Sequence, residues 1–145
     1  MKAFKVVTYH RESVLTRFLK DNIKHHFWSS KGLTKVKALE NVRRLKTIGL
    51  TKKYRKGQVV CAKAGSCGIF CFRDRYFAET FISANRRRIG ACRVIEVEGS
   101  EEIAKPIIYS FAALIWIKLL EGNIIDDWYF PPGGTIAFRK VKVLT

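Results

Sequence analysis

The stretch Thr135-Ile136-Ala137-Phe138-Arg139-Lys140-Val141-Lys142-Val143-Leu144 alternates between apolar and polar side chains near the end of the 145-residue chain. An alternation with a period of two predicts a β-strand that turns one face to the protein core. Lys2–Tyr9, which is rich in Val, Phe and Tyr, predicts an opening strand, and Ala91–Val97 predicts another. These three segments indicate a sheet.

Shorter β-type runs lie between these strands. Gln58–Ala62 and Gly68–Phe72 are separated by a glycine-containing loop, and this pattern predicts a hairpin. Residues Glu98–Glu102 predict a turn after the strand that ends at Val97. Leu114–Leu120 favours a strand, and Trp128–Gly134 predicts a rigid aromatic loop because it contains two prolines and two glycines.

Three segments show helical spacing of apolar residues behind a capping side chain. They run from Ser13 to about Lys24, from Lys35 to Lys46 behind Thr34, and from Asp74 to about Asn85 with a buried face of Phe77, Ala78, Phe81 and Ile82. The predicted fold is therefore a single α+β domain over residues 1–145, with a mainly antiparallel sheet and about three helices in the first 85 residues.

Composition excludes several classes of protein. The chain is 48% hydrophobic, which is too apolar for a wholly disordered basic tail. The longest apolar stretch, Pro106–Leu120, is shorter than the roughly 20 residues of a membrane-spanning helix. The N-terminus has no signal-peptide pattern, so we expect no membrane association, a cytoplasmic location and reduced cysteines.

The net charge of +16 is unevenly distributed along the chain. Residues 1–93 contain 23 Lys and Arg against 5 Asp and Glu, whereas residues 94–145 contain 5 against 7. A one-sided cationic protein concentrates polyanions near one surface, and this favours an anionic partner. The densest segments are Lys31–Lys56 and the triplet Arg86-Arg87-Arg88.

These segments supply the candidate residues for contact with phosphates. A tyrosine flanked by cations could also stack on an unpaired base, and an arginine triplet could hold phosphates through paired hydrogen bonds. The alternatives are a solvated helix face for the first segment and capping of a helix C-terminus for the triplet. The candidate nucleic-acid or anion-binding residues are Lys37, Arg43, Arg44, Lys52, Lys53, Tyr54, Arg55, Lys56, Arg86, Arg87 and Arg88.

Other polar residues give weaker patterns. Among the four cysteines only Cys67 and Cys71 have a spacing that zinc sites use, so buried thiols are expected and no metal or cofactor is assigned. Glu96 and Glu98 stand two apart on a strand and therefore face one way. Such a pair could act as a general acid and base or form the solvent side of an edge strand, and no catalytic residue is assigned.

Part of the chain resembles a segment of ADP-ribosyltransferase-like proteins and of small phage proteins. The resemblance rests on Gly68-Ile69-Phe70-Cys71-Phe72, a helix with Ala78 and Phe81, and Val94-Ile95-Glu96-Val97-Glu98, about half of the chain. In that family a strand that ends in His or Arg binds nicotinamide dinucleotide, and a later Glu activates the attacking group. The resemblance implies that Tyr9-His10-Arg11 matches the first element and that Glu96 or Glu98 matches the last.

The sequence therefore predicts a small, basic, non-enzymatic protein that binds nucleic acid or a nucleotide-like anion through its Lys/Arg-rich face. A viral or mobile-element origin would place it in the host cytoplasm. Two alternatives stay open: an ADP-ribosyltransferase-like enzyme that uses a nicotinamide dinucleotide, and an inhibitor that binds a host protein.

Overall fold

The fold is seen in a computed structural model that describes residues 1–18, 40, 43–44, 47, 51–64, 66, 68–104, 108–109, 128–129 and 132–145. The strands and the helix whose first and last residues are both described are β1 (Lys2–Thr8), β2 (Val59–Cys61), β3 (Ile69–Phe72), α1 (Arg75–Ile89), β4 (Cys92–Glu102), β5 (Ile108–Tyr109), β6 (Trp128–Tyr129) and β7 (Thr135–Val143).

Strand β7 closes the sheet into a small barrel. Along one edge it pairs with β3 and then with β2, and along the other edge it pairs with β4. Strand β1 lies between β3 and β4, so the strands form a ring in which neighbouring strands pair in antiparallel fashion. The prediction of a mainly antiparallel α+β fold is confirmed, with the sheet closed rather than open.

The predicted hairpin between Gln58–Ala62 and Gly68–Phe72 is wrong. Strands β2 and β3 both run antiparallel to β7 and therefore run in the same direction, one after the other along the same edge. The loop between them connects two strands in line and does not reverse the chain. A hairpin needs two neighbouring antiparallel strands, and here β7 is the antiparallel neighbour of both.

Strand β4 continues through the predicted turn at Glu98–Glu102, because β7 pairs with it as far as Glu102. Both strands change face near that end: Arg139 and Lys140 are consecutive exposed residues, and Glu101 has a left-handed φ of 58°. The predicted loop Trp128–Gly134 also begins in a strand, since Trp128–Tyr129 pairs with Ile108–Tyr109. The predicted strand Leu114–Leu120 lies outside the described residues.

Helix α1 covers the outer face of β1, β3 and β4. Ala78, Phe81 and Ile89 are buried, and Phe77 and Ile82 pack beside them, which confirms the predicted apolar face. The helix is longer than predicted and ends at Ile89. Asp74 stands at the N-cap, but its side chain makes no capping hydrogen bond.

The number of helices differs from the prediction. Only two continuous helical stretches can be followed among the described residues, residues 15–18 and α1, where about three helices were expected. Most of the predicted helix Lys35–Lys46 lies outside the described residues, and Glu40, Arg43 and Arg44 within it are helical.

Among the described residues, one lysine lies inside the barrel. Lys5 is 7% exposed, and its Nζ donates a hydrogen bond to the Phe70 carbonyl oxygen at 2.7 Å and lies 5.2 Å from the centre of the Tyr54 ring. Phe4 and Phe72 are the paired residues where β1 meets β3, so the lysine bridges the place where these strands separate. Burial lowers the pKa of Lys5, and a negative charge on Cys71 would oppose that shift.

Replacement of Lys5 by Met should change how stability depends on pH. The pKa of Lys5 is lower in the folded protein than in the unfolded chain. Between that lowered pKa and the ordinary lysine pKa of about 10.4, the unfolded chain binds more protons, so a fall in pH favours unfolding. The free energy of unfolding of the wild type, relative to Lys5→Met, should therefore rise with pH until the ordinary lysine pKa of about 10.4 is reached. Urea titrations at several pH values measure this difference. A difference that stays constant would contradict a perturbed lysine.

A glycine makes room for the largest side chain of the β7 interior. Gly99 on β4 is buried, and a Cβ atom there would overlap the ring of Phe138. We expect Gly99→Ala to lower the free energy of unfolding by about 1–3 kcal/mol, because a packed interior resists added atoms. Chemical denaturation checks this. Gly133→Ala is the control, since its Cβ would lie an ordinary 3.8 Å from the Phe77 ring.

Candidate nucleic-acid interface

The structure places the candidate residues in different environments. Lys37 lies outside the described residues, and Tyr54 is buried. Lys52 and Arg88 are half-buried. The exposed candidates are Arg43, Arg44, Lys53, Arg55, Lys56, Arg86 and Arg87.

The predicted stacking role of Tyr54 is wrong. Its side chain is 2% exposed and belongs to the cluster inside the barrel, so neither face of the ring is open to a base. Burial raises the pKa of its hydroxyl, and a hydrogen bond with Ser13 opposes the shift. Its cationic neighbours Lys53 and Arg55 favour an exposed segment in the sequence. In the structure, side chains alternate between the two sides of the backbone, so Lys53 and Arg55 face solvent and Tyr54 faces the barrel interior.

The segment that carries Lys52–Lys56 is fixed at both ends by backbone hydrogen bonds. Near its start, the Ser13 N–H donates to the Lys52 carbonyl at 2.9 Å and the Tyr54 N–H donates to the Arg11 carbonyl at 2.8 Å. Near its end, the Gly57 N–H donates to the Val143 carbonyl at 2.8 Å. The exposed cations of this segment therefore stand on a backbone that is held against the barrel.

The arginine triplet lies inside α1 rather than just beyond its end. All three residues belong to the last turn, and the Gly90 N–H closes the helix by donating to the Arg86 carbonyl at 3.0 Å. The guanidinium of Arg88 lies 4.7 Å from the centre of the Phe18 ring. Arg86 and Arg87 are exposed to solvent.

The strand directions bring both basic segments to the same end of the barrel. Thr8, at the end of β1, pairs with Cys92 at the start of β4, and the residues that follow β1 are hydrogen-bonded to Lys52 and Tyr54. Helix α1 starts at the opposite end, after β3, and runs back to deliver the triplet just before Cys92. We call this end, formed by residues 9–17, 52–58 and 86–93, the basic end.

The basic end carries ten cationic residues and one carboxylate. Its only acid is Glu12, whose backbone forms a bridge with Lys53. The ion pairs of the described part of the chain involve none of Lys52, Lys53, Arg55 and Lys56. The cations are Arg11, Arg17, Lys52, Lys53, Arg55, Lys56, Arg86, Arg87, Arg88 and Arg93.

Sequence reasoning missed three of these cations, because each is isolated in the sequence. Arg11 has a left-handed φ of 65°, and its Nε donates to the Tyr54 carbonyl at 2.6 Å. Arg17 lies close enough to Cys92 for its charge to oppose the rise that burial causes in the pKa of that thiol. The guanidinium of Arg93 lies 4.7 Å from the centre of the Tyr9 ring.

The described acidic residues other than Glu12 belong to segments outside the basic end. Glu96 and Glu98 face outward together from the middle of β4, as their spacing predicts, but β4 is not an edge strand because β1 and β7 flank it. A carboxylate oxygen of Glu96 lies 3.1 Å from Lys2 Nζ, and one of Glu98 lies 2.6 Å from the terminal amine of Met1. Both carboxylates thus form ion pairs with groups that do not belong to the basic end.

The segments on which the resemblance to ADP-ribosyltransferase-like proteins rests lie at different positions along β4. Residues 9–11 follow the end of β1, where Thr8 pairs with Cys92, whereas Glu96 and Glu98 are four and six residues further along β4. At about 3.3 Å per residue, these separations are roughly 13 and 20 Å along the strand. The side chain of Glu96 points to Lys2 and Arg75 on the outer face.

No protein-family model, curated protein or solved structure matches this chain. No helix among the described residues is long and apolar enough to cross a membrane. The same residues contain no group of three or more His, Cys, Asp or Glu side chains that could hold a metal ion.

The cysteines should differ sharply in reactivity. Cys61 is exposed, whereas Cys71 lies inside the barrel, where burial raises the pKa of its thiol to about 11. Because the thiolate is the reactive form, an alkylating reagent near neutral pH should modify Cys61 first and Cys71 only after unfolding. Peptide mass spectrometry measures both rates, with denatured protein as the control. Equal rates in the folded protein would contradict the burial of Cys71.

Proposed function

We propose that this protein binds nucleic acid through the basic end. The observation that carries the proposal is the one-sided charge: ten cations and one carboxylate share this end, while the described acids of β4 and of the first half of α1 lie elsewhere on the barrel. Such an arrangement attracts a polyanion to one surface and orients it there. A uniformly basic surface would attract a polyanion without orienting it.

The extent of the basic end favours a polymer over a single nucleotide. The Lys52–Lys56 segment is held to Ser13, and Arg88 packs on Phe18. Ser13 and Phe18 are five residues apart across the start of a helical segment, which corresponds to about 8 Å of rise. Side chains on the two sides of this connection extend the surface further, so successive phosphates of a strand could meet both basic segments.

Phosphate contact also sets how the interaction responds to salt. Each phosphate that a lysine or arginine neutralises releases condensed counterions, so the binding constant falls as salt rises. The logarithm of the binding constant changes by about 0.7 to 0.9 per contact for each tenfold change in salt. The three exposed cations Lys53, Arg55 and Lys56 have no ion-pair partner among the described residues and so remain available for such contacts.

The protein would act in a reducing compartment. Cys61, Cys71 and Cys92 are free, and Cys61 is exposed, which suits the cytoplasm better than an oxidising environment. An acidic surface on a host protein would be attracted by the same field, so the experiment below includes a nuclease-treated capture.

A charge-removal experiment tests the proposal. The combined variant Lys53→Ala, Arg55→Ala and Lys56→Ala should make the salt dependence less steep by about 2 logarithmic units per tenfold change in salt, because about three phosphate contacts are lost. Fluorescence anisotropy of labelled oligonucleotides over a series of salt concentrations measures this slope.

The matched control removes three charges outside the basic end: Lys63→Ala, Arg73→Ala and Lys140→Ala, all exposed in the structure. The control should keep the slope of the wild type. Equal losses in both variants would show attraction by net charge alone, and binding that does not weaken with salt would exclude phosphate contact. A partner captured from lysate after nuclease treatment, with no oligonucleotide binding, would indicate a protein partner instead.

A further inference from the structure

An exposed tyrosine lies at the centre of the basic end. Tyr9 is 61% exposed and follows β1 directly. Among the side chains that the structure describes, the only other exposed Phe, Tyr or Trp is Tyr76, which stands near the start of α1 at the opposite end of the barrel. Tyr9 is therefore the described aromatic ring that a molecule bound at the basic end could reach.

Two neighbours hold the Tyr9 ring in a defined orientation. The guanidinium of Arg93 lies over the ring, 4.7 Å from its centre. The ring of His10 meets that of Tyr9 nearly perpendicularly, at 85° and with 5.8 Å between the centroids. Arg93 belongs to the paired part of β4, opposite Val7, so the residue that covers the ring has a fixed backbone. One ring face is covered by a cation, and the exposed area belongs to the remainder of the ring.

We infer that Tyr9 is a stacking site for one unpaired base, and that the basic end therefore selects single-stranded nucleic acid. The inference rests on the proposed function and adds the class of strand. Proteins that bind single strands combine a cationic surface with aromatic rings on which bases stack. Here the guanidinium of Arg93 covers one face of the ring, and the other cations of the basic end supply the charged surface around it.

A duplex would not use this site. Its bases are stacked on each other, and one can reach a protein ring only after it leaves the stack at a cost of a few kcal/mol. A single strand exposes its bases without that cost. Both single-stranded and duplex nucleic acid can make the phosphate contacts of the basic end. Stacking on Tyr9 should therefore raise the affinity for the single strand alone, and the salt dependence of binding should be the same for both.

The test compares Tyr9→Ala with Tyr76→Ala, a matched loss of an exposed tyrosine. The probes are a labelled single-stranded oligonucleotide of about 20 nucleotides, its duplex, and the same strand with abasic sites throughout its middle. We expect Tyr9→Ala to weaken binding of the single strand by about 5- to 150-fold, the range for loss of one stacked base. Duplex binding and the salt slope should be unchanged, and Tyr9→Phe should bind as the wild type does.

The abasic strand identifies what the ring contacts. If a base stacks on Tyr9, the wild type should bind the abasic strand about as weakly as Tyr9→Ala binds the normal strand, and the variant should show a much smaller difference between the two strands. Tyr76→Ala should behave as the wild type with every probe. Thermal denaturation of each variant shows that it is folded.

The outcomes separate the two proposals. Absence of salt-dependent binding in the wild type would remove the proposed function and this inference with it. Salt-dependent binding that Tyr9→Ala leaves unchanged, or that it weakens equally for the single strand and the duplex, would overturn the stacking site while the proposed function stands. Equal losses in Tyr9→Ala and Tyr76→Ala would also overturn it.

Discussion

The pairing of β7 with three other strands is the constraint on which the rest of the structure depends. β3 and β2 follow each other along one edge of β7, β4 occupies the other edge, and β1 completes the ring. Closure removes most free sheet edges and creates an interior lined by Ile136, Phe138, Val141 and Val143 of β7. The same closure places the ammonium group of Lys5 inside the barrel, where the Phe70 carbonyl oxygen and the Tyr54 ring are its neighbours. Closure of the barrel thus determines how Lys5 is packed and lowers its pKa by burial.

The barrel also determines where charge collects. Antiparallel strands bring every second connection to the same end, so the turn after β1, the segment before β2 and the end of α1 meet there although they are distant in sequence. Glu96 and Glu98 on β4 pair with Lys2 and the terminal amine. Because these partners do not belong to the basic end, neither ion pair neutralises one of its cations. The fold thus gathers cations from three separate segments of the chain at one end of the barrel.

Tyr54 is buried where the sequence suggested an exposed ring, and Tyr9 is the exposed tyrosine of the basic end. Tyr54 stands among four cations, yet it fills the barrel, because the segment around it is extended and hydrogen-bonded to residues 11–13. Tyr9 stands at the end of a predicted strand and carries no cationic cluster in the sequence, yet Arg93 covers it from another strand. Local composition reports which residues are near in the chain. Whether a ring is available for binding depends on its exposure and on its contacts with distant segments, and both depend on the closed sheet.

The sequence by itself determined the class of the fold, the first and last strands, the apolar face of α1 and the excess of positive charge in residues 1–93. Alternation, helical spacing and composition are local properties, so they can be read from the sequence. Only the tertiary structure decided that β2 and β3 lie in line on β7, that β4 runs on to Glu102, and that the arginine triplet shares an end with Lys52–Lys56. These features depend on which strands become neighbours. The neighbours of each strand are determined by closure of the whole barrel, and the sequence of a single segment does not specify them.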